Sequence, residues 1–138
     1  MQIRSRLTKA GMLGSAVVAA IAISTAPASA AAAVTASPSS GLADGQTVTV
    51  TGTGFPAGAE VAVSQCRENT TCTDTLTRAT VGANGTFTAP YTVRKQFAAT
   101  DWSTGTGTSV TVDCAVAQCQ LVAYLEATGP VGTKISFG

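Results

Sequence analysis

The chain has no histidine among its 138 residues, and little charge or aromatic character: 11% Asp, Glu, Lys and Arg, and 5% Phe, Trp and Tyr. Each shortage excludes something. Without histidine there is no Ser-His-Asp or Cys-His arrangement, and the commonest neutral-pH proton carrier is missing. No Gly-rich run separates a strand pattern from a helix pattern, so there is no phosphate cradle. After Ala33 no apolar run is long enough to cross a bilayer. Beyond residue 30 there is no methionine, and the basic residues are Arg67, Arg78, Arg94, Lys95 and Lys134. Five positive against seven negative side chains give this part of the chain a net charge of −2, which disfavours intrinsic binding to a phosphate backbone. The seven carboxylates are scattered, mostly beside turns, and read as solvated surface. A hydrolase built on two paired carboxylates would need a proximity in space that sequence does not define.

What is present begins with a targeting pattern. Arg4, Arg6 and Lys9 precede an apolar run from Gly11 to Ile23, and Ala28-Ser29-Ala30 has the small-residue form of a cleavage site. Residues 1–30 are therefore expected to be a signal peptide, and residues 31–138 a single domain, secreted, extracellular and monomeric, with no membrane attachment once the signal is removed. Four cysteines behind such a signal read as two disulfides with three possible connectivities. Closeness in sequence favours Cys66–Cys72 and Cys114–Cys119; the alternative is a crossed pairing that clamps two sheets. No metal site is expected, because neither pair has C-x-x-C spacing and no imidazole is available.

Helix signals are nearly absent after residue 30. Thr47–Thr51, Glu60–Ser64 and Ser109–Asp113 alternate polar and apolar with period two, as half-buried strands do. Thr86–Ala89 does the same, with Tyr91 and Val93 continuing the apolar face of Phe87, and Leu121–Leu125 and Ile135–Phe137 are further candidates. Asn84-Gly85 predicts a hairpin between Arg78–Val81 and the strand from Thr86, and Gly129-Pro130 and Gly132 read as turn residues. Seven or eight short strands at this spacing predict an all-β fold, an antiparallel immunoglobulin-like β-sandwich, with a small barrel as the competing architecture. Phe97 to Gly107 reads as a long polar loop carrying the only tryptophan, Trp102, either as a binding element or as a plug for the end of the core.

Several segments, in this order, resemble the neocarzinostatin family: Ser37-Pro38-Ser39-Ser40-Gly41-Leu42-Ala43-Asp44-Gly45, Gln65-Cys66, Ala83-Asn84-Gly85, Thr92-Val93-Arg94-Lys95-Gln96-Phe97, Thr111-Val112-Asp113-Cys114, Cys119-Gln120 and Ile135-Ser136-Phe137. The resemblance implies a seven-stranded immunoglobulin-like antiparallel β-sandwich with both disulfides local. It also implies an antibiotic carrier apoprotein, not an enzyme, that holds a labile enediyne chromophore non-covalently in a cleft. DNA enters only as the target of that ligand. No other cofactor is implied. The implied ligand-binding set is Cys66 and Cys72 on the pocket wall, Gln120 as a polar contact, Trp102 and Phe97 as aromatics of the long segment, Leu76 where the family has an aromatic, and Tyr124 where it has a small hydroxyl residue. The Cys66–Cys72 loop is shorter and more polar than the family pattern, and Tyr124 is large enough to fill the cleft. The alternative is thus an orphan member without chromophore, a secreted structural or interaction module; a secreted hydrolase is a third reading.

Overall fold

A computed structural model describes residues 31–138, and the signal-peptide expectation lies outside the described residues. The strands are β1 (Ala33–Ser37), β2 (Thr47–Thr53), β3 (Glu60–Glu68), β4 (Thr71–Thr80), β5 (Phe87–Thr92), β6 (Gln96–Asp101), β7 (Thr108–Asp113), β8 (Cys119–Leu125) and β9 (Gly129–Ile135). They form two antiparallel sheets, a three-stranded one in the order β1-β2-β5 and a six-stranded one in the order β9-β8-β3-β4-β6-β7. The all-β expectation and the two-sheet arrangement hold, with nine strands in place of seven.

The core is built by alternation. Val48 and Val50 of β2 and Phe87, Ala89 and Tyr91 of β5 are buried, as are Val61 and Val63 of β3 and Leu121 and Ala123 of β8. Gly52 lies opposite Phe87 in the β2–β5 register, and a Cβ at position 52 would land on the Phe87 ring. The glycine thereby lets Phe87 lie flat against β2 and meet Phe55 edge-on, ring centroids 5.3 Å apart.

Three details differ from the sequence reading. Phe97 to Gly107 is not one loop, because residues 96–101 pair with β7 along their whole length. Their run of small residues carries weak strand propensity, and the pairing supplies what the composition does not. Gly129, Pro130 and Gly132 belong to β9, an edge strand whose outer side needs no donor, so a proline is tolerated there. The Asn84-Gly85 turn forms, with Gly85 at φ 80° and the Gly82 N–H donating to the Thr86 carbonyl. It is not a hairpin, however: it joins β4 in one sheet to β5 in the other.

Both disulfides are local, Cys66–Cys72 and Cys114–Cys119, which excludes the crossed pairing. The first links directly opposed residues of β3 and β4. The second closes the connection from β7 to β8, and both its cysteines join the core.

Candidate functional site

Strand register decides which side chains meet on the outer face of the six-stranded sheet. Directly opposed residues share a face. Ala62 lies between Arg78 and Tyr124, and Tyr124 is opposite Pro130. The next row is Leu76, Ser64, Val122 and Gly132, and the one after it Cys72, Cys66, Gln120 and Lys134. The alternate residues Val61, Val63, Leu121 and Ala123 point the other way, into the core.

The outer face is therefore low in the middle and high at the rim. Alanine, serine, valine and glycine make its floor, while Leu76 and Tyr124 stand up at its sides, 45% and 50% exposed. The result is a cleft of about 340 Å³ bordered by Ala62, Ser64, Asn69, Cys72, Leu76, Val122, Tyr124 and Pro130. Tyr124 forms its wall and does not fill it. At one end the Gln120 carboxamide donates to Asn69 Oδ1 at 2.8 Å, tying the tip of the first disulfide hairpin to β8. Gly132 makes room for that carboxamide, since a Cβ there would meet it at 3.2 Å.

Of the residues singled out in the sequence, Cys72, Leu76 and Tyr124 border the cleft directly, and Cys66 and Gln120 lie in the row beside it. Trp102 stands on the neighbouring strand pair. Its backbone N–H donates to the Thr70 carbonyl at 3.1 Å, and its ring lies over Gly107 with 59% of the residue exposed. It is not a plug for the core. Its loop is pinned by Asp101, whose carboxylate accepts the Ser103 N–H at 2.8 Å and faces Arg67 at 3.7 Å. The Ser103 hydrogen bonds, followed by Arg67, hold the Asp101 carboxyl below its usual value.

Phe97 does not join this group. Alternation along β6 turns it into the core with Ala99, and it borders a different hollow of about 420 Å³ with Gln65, Tyr91 and Arg94. Two polar side chains of that second hollow, Gln65 and Tyr91, are already matched. Gln65 Oε1 accepts the Arg94 N–H at 2.9 Å, and Gln65 Nε2 donates to the Arg94 carbonyl at 2.7 Å. The Tyr91 hydroxyl accepts the Gln65 N–H at 3.1 Å and donates to the Thr75 carbonyl at 3.0 Å. Burial raises the Tyr91 phenol above its ordinary range, partly offset by the Gln65 N–H. This network links the two sheets.

Sequence reasoning missed Ala62, Ser64, Asn69, Val122 and Pro130. The available signal was size: in Val61-Ala62-Val63-Ser64 the outward residues are small, where a solvated strand face ordinarily carries longer polar ones.

The neocarzinostatin family model matches residues 34–137. The chain belongs to the neocarzinostatin family. Among its neocarzinostatin-family relatives, the antitumor antibiotic C-1027 apoprotein of Streptomyces globisporus is 37% identical over 129 residues, 88% of each chain. Actinoxanthin from the same organism matches to the same extent. The structure of macromomycin superposes with a TM-score of 0.69 at 34% identity, covering 78% of this chain and all of that one. Apokedarcidin gives 0.59 at 31%, covering 79% of this chain and all of its own. Among the described residues there is no free cysteine and no cluster of three metal-ligating side chains.

Proposed function

We propose that this neocarzinostatin-family chain is an exported carrier apoprotein, not an enzyme, that holds a flat, apolar enediyne-type chromophore non-covalently in the cleft. The observation that carries the reading is the small-floored, high-rimmed outer face around Ala62, Ser64 and Val122, an apolar hollow of about 340 Å³. A concavity of that size lined mainly by apolar groups is the ordinary form of a small-molecule site. Its chemistry supports storage of a reactive guest. The sequence has no histidine, and both cysteines on this face are bonded to each other, so neither an imidazole nor a thiolate stands by to attack the ligand. In this reading Leu76 and Tyr124 clasp the ring faces, Cys72 and Cys66 back one wall, and Gln120 steadies the Asn69 end. Trp102 covers the outer edge. DNA is the target of the released ligand and not of the protein. Residues 1–30 export the chain, which then acts as a monomer outside the cell. The apoprotein names of C-1027 and of apokedarcidin fit this role.

The test is a titration with a naphthoate-type aromatic, followed through Trp102, the only tryptophan. A saturable emission change is expected in the native protein. Ala62→Phe, which fills the floor from the solvent side, should abolish the response while leaving the unfolding midpoint nearly unchanged. Native mass spectrometry of protein from a culture making the chromophore should show a non-covalent adduct; bare apoprotein there, with no saturable response to the aromatic, defeats the reading.

A further inference from the structure

Strands β4 and β6 pair at only two positions, Thr71 with Asp101 and Cys72 with Thr100, and then part. A bulge separates them. Between Cys72 and Leu76, β4 has three residues, Thr73, Asp74 and Thr75, where the facing stretch of β3 has Gln65 alone. The Tyr91 hydroxyl fills this break in the β3–β4 ladder, accepting the Gln65 N–H at 3.1 Å and donating to the Thr75 carbonyl at 3.0 Å. That bridge holds β4 on its bulged path, away from β6. The second hollow, of about 420 Å³, lies in the fork, with Thr73, Asp74 and Thr75 on one side, Ala98 on the other, and the buried Tyr91 and Phe97 at its base.

Alternation decides which main-chain groups face the fork. Along an antiparallel strand, residues that bond one neighbour alternate with residues that bond the other. The Lys95 carbonyl accepts the Cys114 N–H at 2.7 Å, so Lys95, Phe97 and Ala99 turn their main-chain groups to β7. The Trp102 N–H donates to the Thr70 carbonyl at 3.1 Å on the opposite side, so Thr100, Ala98 and Gln96 turn theirs towards β4. Thr100 finds Cys72 there. Ala98 would meet Asp74 next, but the ladder has ended. Among the described residues, the main-chain groups of Ala98 and Gln96 have no hydrogen-bond partner, and they form a free strand edge inside the sheet.

Opposite charges stand at the two ends of this edge. Continuing the register past Cys72 and Thr100 puts Asp74 level with Ala98, and Arg94 lies four residues further along, about 13 Å away. Neither takes part in an ion pair among the described residues, where the pairs use Arg67 and Arg78. Asp44, which borders an adjoining hollow with Arg94, has one carboxylate oxygen accepting the Lys95 N–H at 2.8 Å. Three extended residues span about 10 Å, and the Asp74 and Arg94 side chains are long enough to cover the remainder.

We propose that the fork between β4 and β6 binds a short extended peptide of about three small residues with free termini, lying antiparallel to β6. Its first residue sits opposite Ala98, with its ammonium at Asp74 and its carbonyl accepting the Ala98 N–H. Its third residue sits opposite Gln96, donates its N–H to the Gln96 carbonyl and places its carboxylate at Arg94. This site shares no bordering residue with the carrier cleft.

The probe is tri-L-alanine, titrated into the native protein and followed through backbone amide NMR shifts. Saturable shifts at Ala98 and Gln96 are expected. Blocking both termini, as in N-acetyl-trialanine amide, should weaken binding about tenfold, since two exposed ion pairs are lost. Asp74→Asn should weaken trialanine but not its N-acetyl form, and Arg94→Gln should weaken trialanine but not its amide. N-methylation of the third residue removes the donor to Gln96 and should weaken binding about fivefold more than N-methylation of the second. Ala62→Phe, which fills the carrier cleft, should leave trialanine binding unchanged. Absence of saturable shifts at Ala98 and Gln96 overturns the peptide site, as does equal affinity for the blocked peptide. Shifts confined to Leu76 and Tyr124 and lost in Ala62→Phe overturn it too, by placing the peptide in the carrier cleft, and none of these results touches the carrier reading.

Discussion

The two faces of the six-stranded sheet use the same strands and opposite rules. On the inner face, Val61, Val63, Leu121, Ala123 and Ile135 join one buried core with Val34, Val48, Val50, Phe87 and Tyr91 of the three-stranded sheet. On the outer face, the intervening residues Ala62, Ser64, Val122 and Gly132 are too small to do so, and the larger side chains stand only at the edges. A period of two lets one strand carry both instructions without conflict. The disulfides follow the same division. Cys114–Cys119 is packed into the core, while Cys66–Cys72 reaches the wall of the cleft through Cys72. Stability is thus concentrated on one side and a hollow is left on the other, so the hollow can vary without unfolding the protein.

The sharpest way to break this comparison is to truncate one leucine on each face. Leu121→Ala, at a fully buried position, should lower unfolding free energy by about 2–5 kcal/mol in urea titrations. Leu76→Ala, on the exposed rim, should lower it by about 0.5 kcal/mol while weakening aromatic binding. Equal losses would show that the outer face is also core.

A smaller effect is expected where the two sheets are linked. Tyr91→Phe leaves the Gln65 N–H and the Thr75 carbonyl without their shared hydroxyl, which should cost about 1–3 kcal/mol. It should also alter alkaline stability. The folded phenol keeps its proton above pH 10.0 whereas the unfolded one loses it there. Native stability therefore declines as pH rises from about 10 towards the folded pKa, because the unfolded state binds fewer protons in that window. Tyr91→Phe should remove this tyrosine's share of the slope in unfolding curves measured across that range.

The smallest effect concerns the edge of the open face. The Asp101 carboxyl is held below 3.8 by Ser103 and Arg67, so its contribution is present above that pH and is lost as pH falls through its folded pKa. Trp102 emission should change in acid with a midpoint below 3.8, and Asp101→Asn should abolish the transition. A midpoint at or above 3.8 would mean that the carboxylate does not hold the loop.

Much of this protein was readable from composition and spacing. Val-Thr alternation in 47–51 and 109–113 is enough to define half-buried strands, because side chains on a strand must point alternately to two environments. Two tight cysteine pairs favoured local bridges, and the ordered segments from Ser37 to Phe137 carried the family resemblance. The strand at 96–101 was hidden because Ala98-Ala99-Thr100 has little preference of its own and is stabilised by its partner β7. Phe97 shares a segment with Trp102, but pleating along β6 turns it into the core, away from Cys72.

The chain alone determined an all-β protein with no imidazole and a family resemblance, since these depend on residue identity and short-range periodicity. Only the tertiary structure decided that Ala62, Ser64, Val122 and Tyr124 share one face and that the Asn84-Gly85 turn crosses between sheets. Register between distant strands is set by which faces pack together, and that is a property of the assembled core rather than of any one segment.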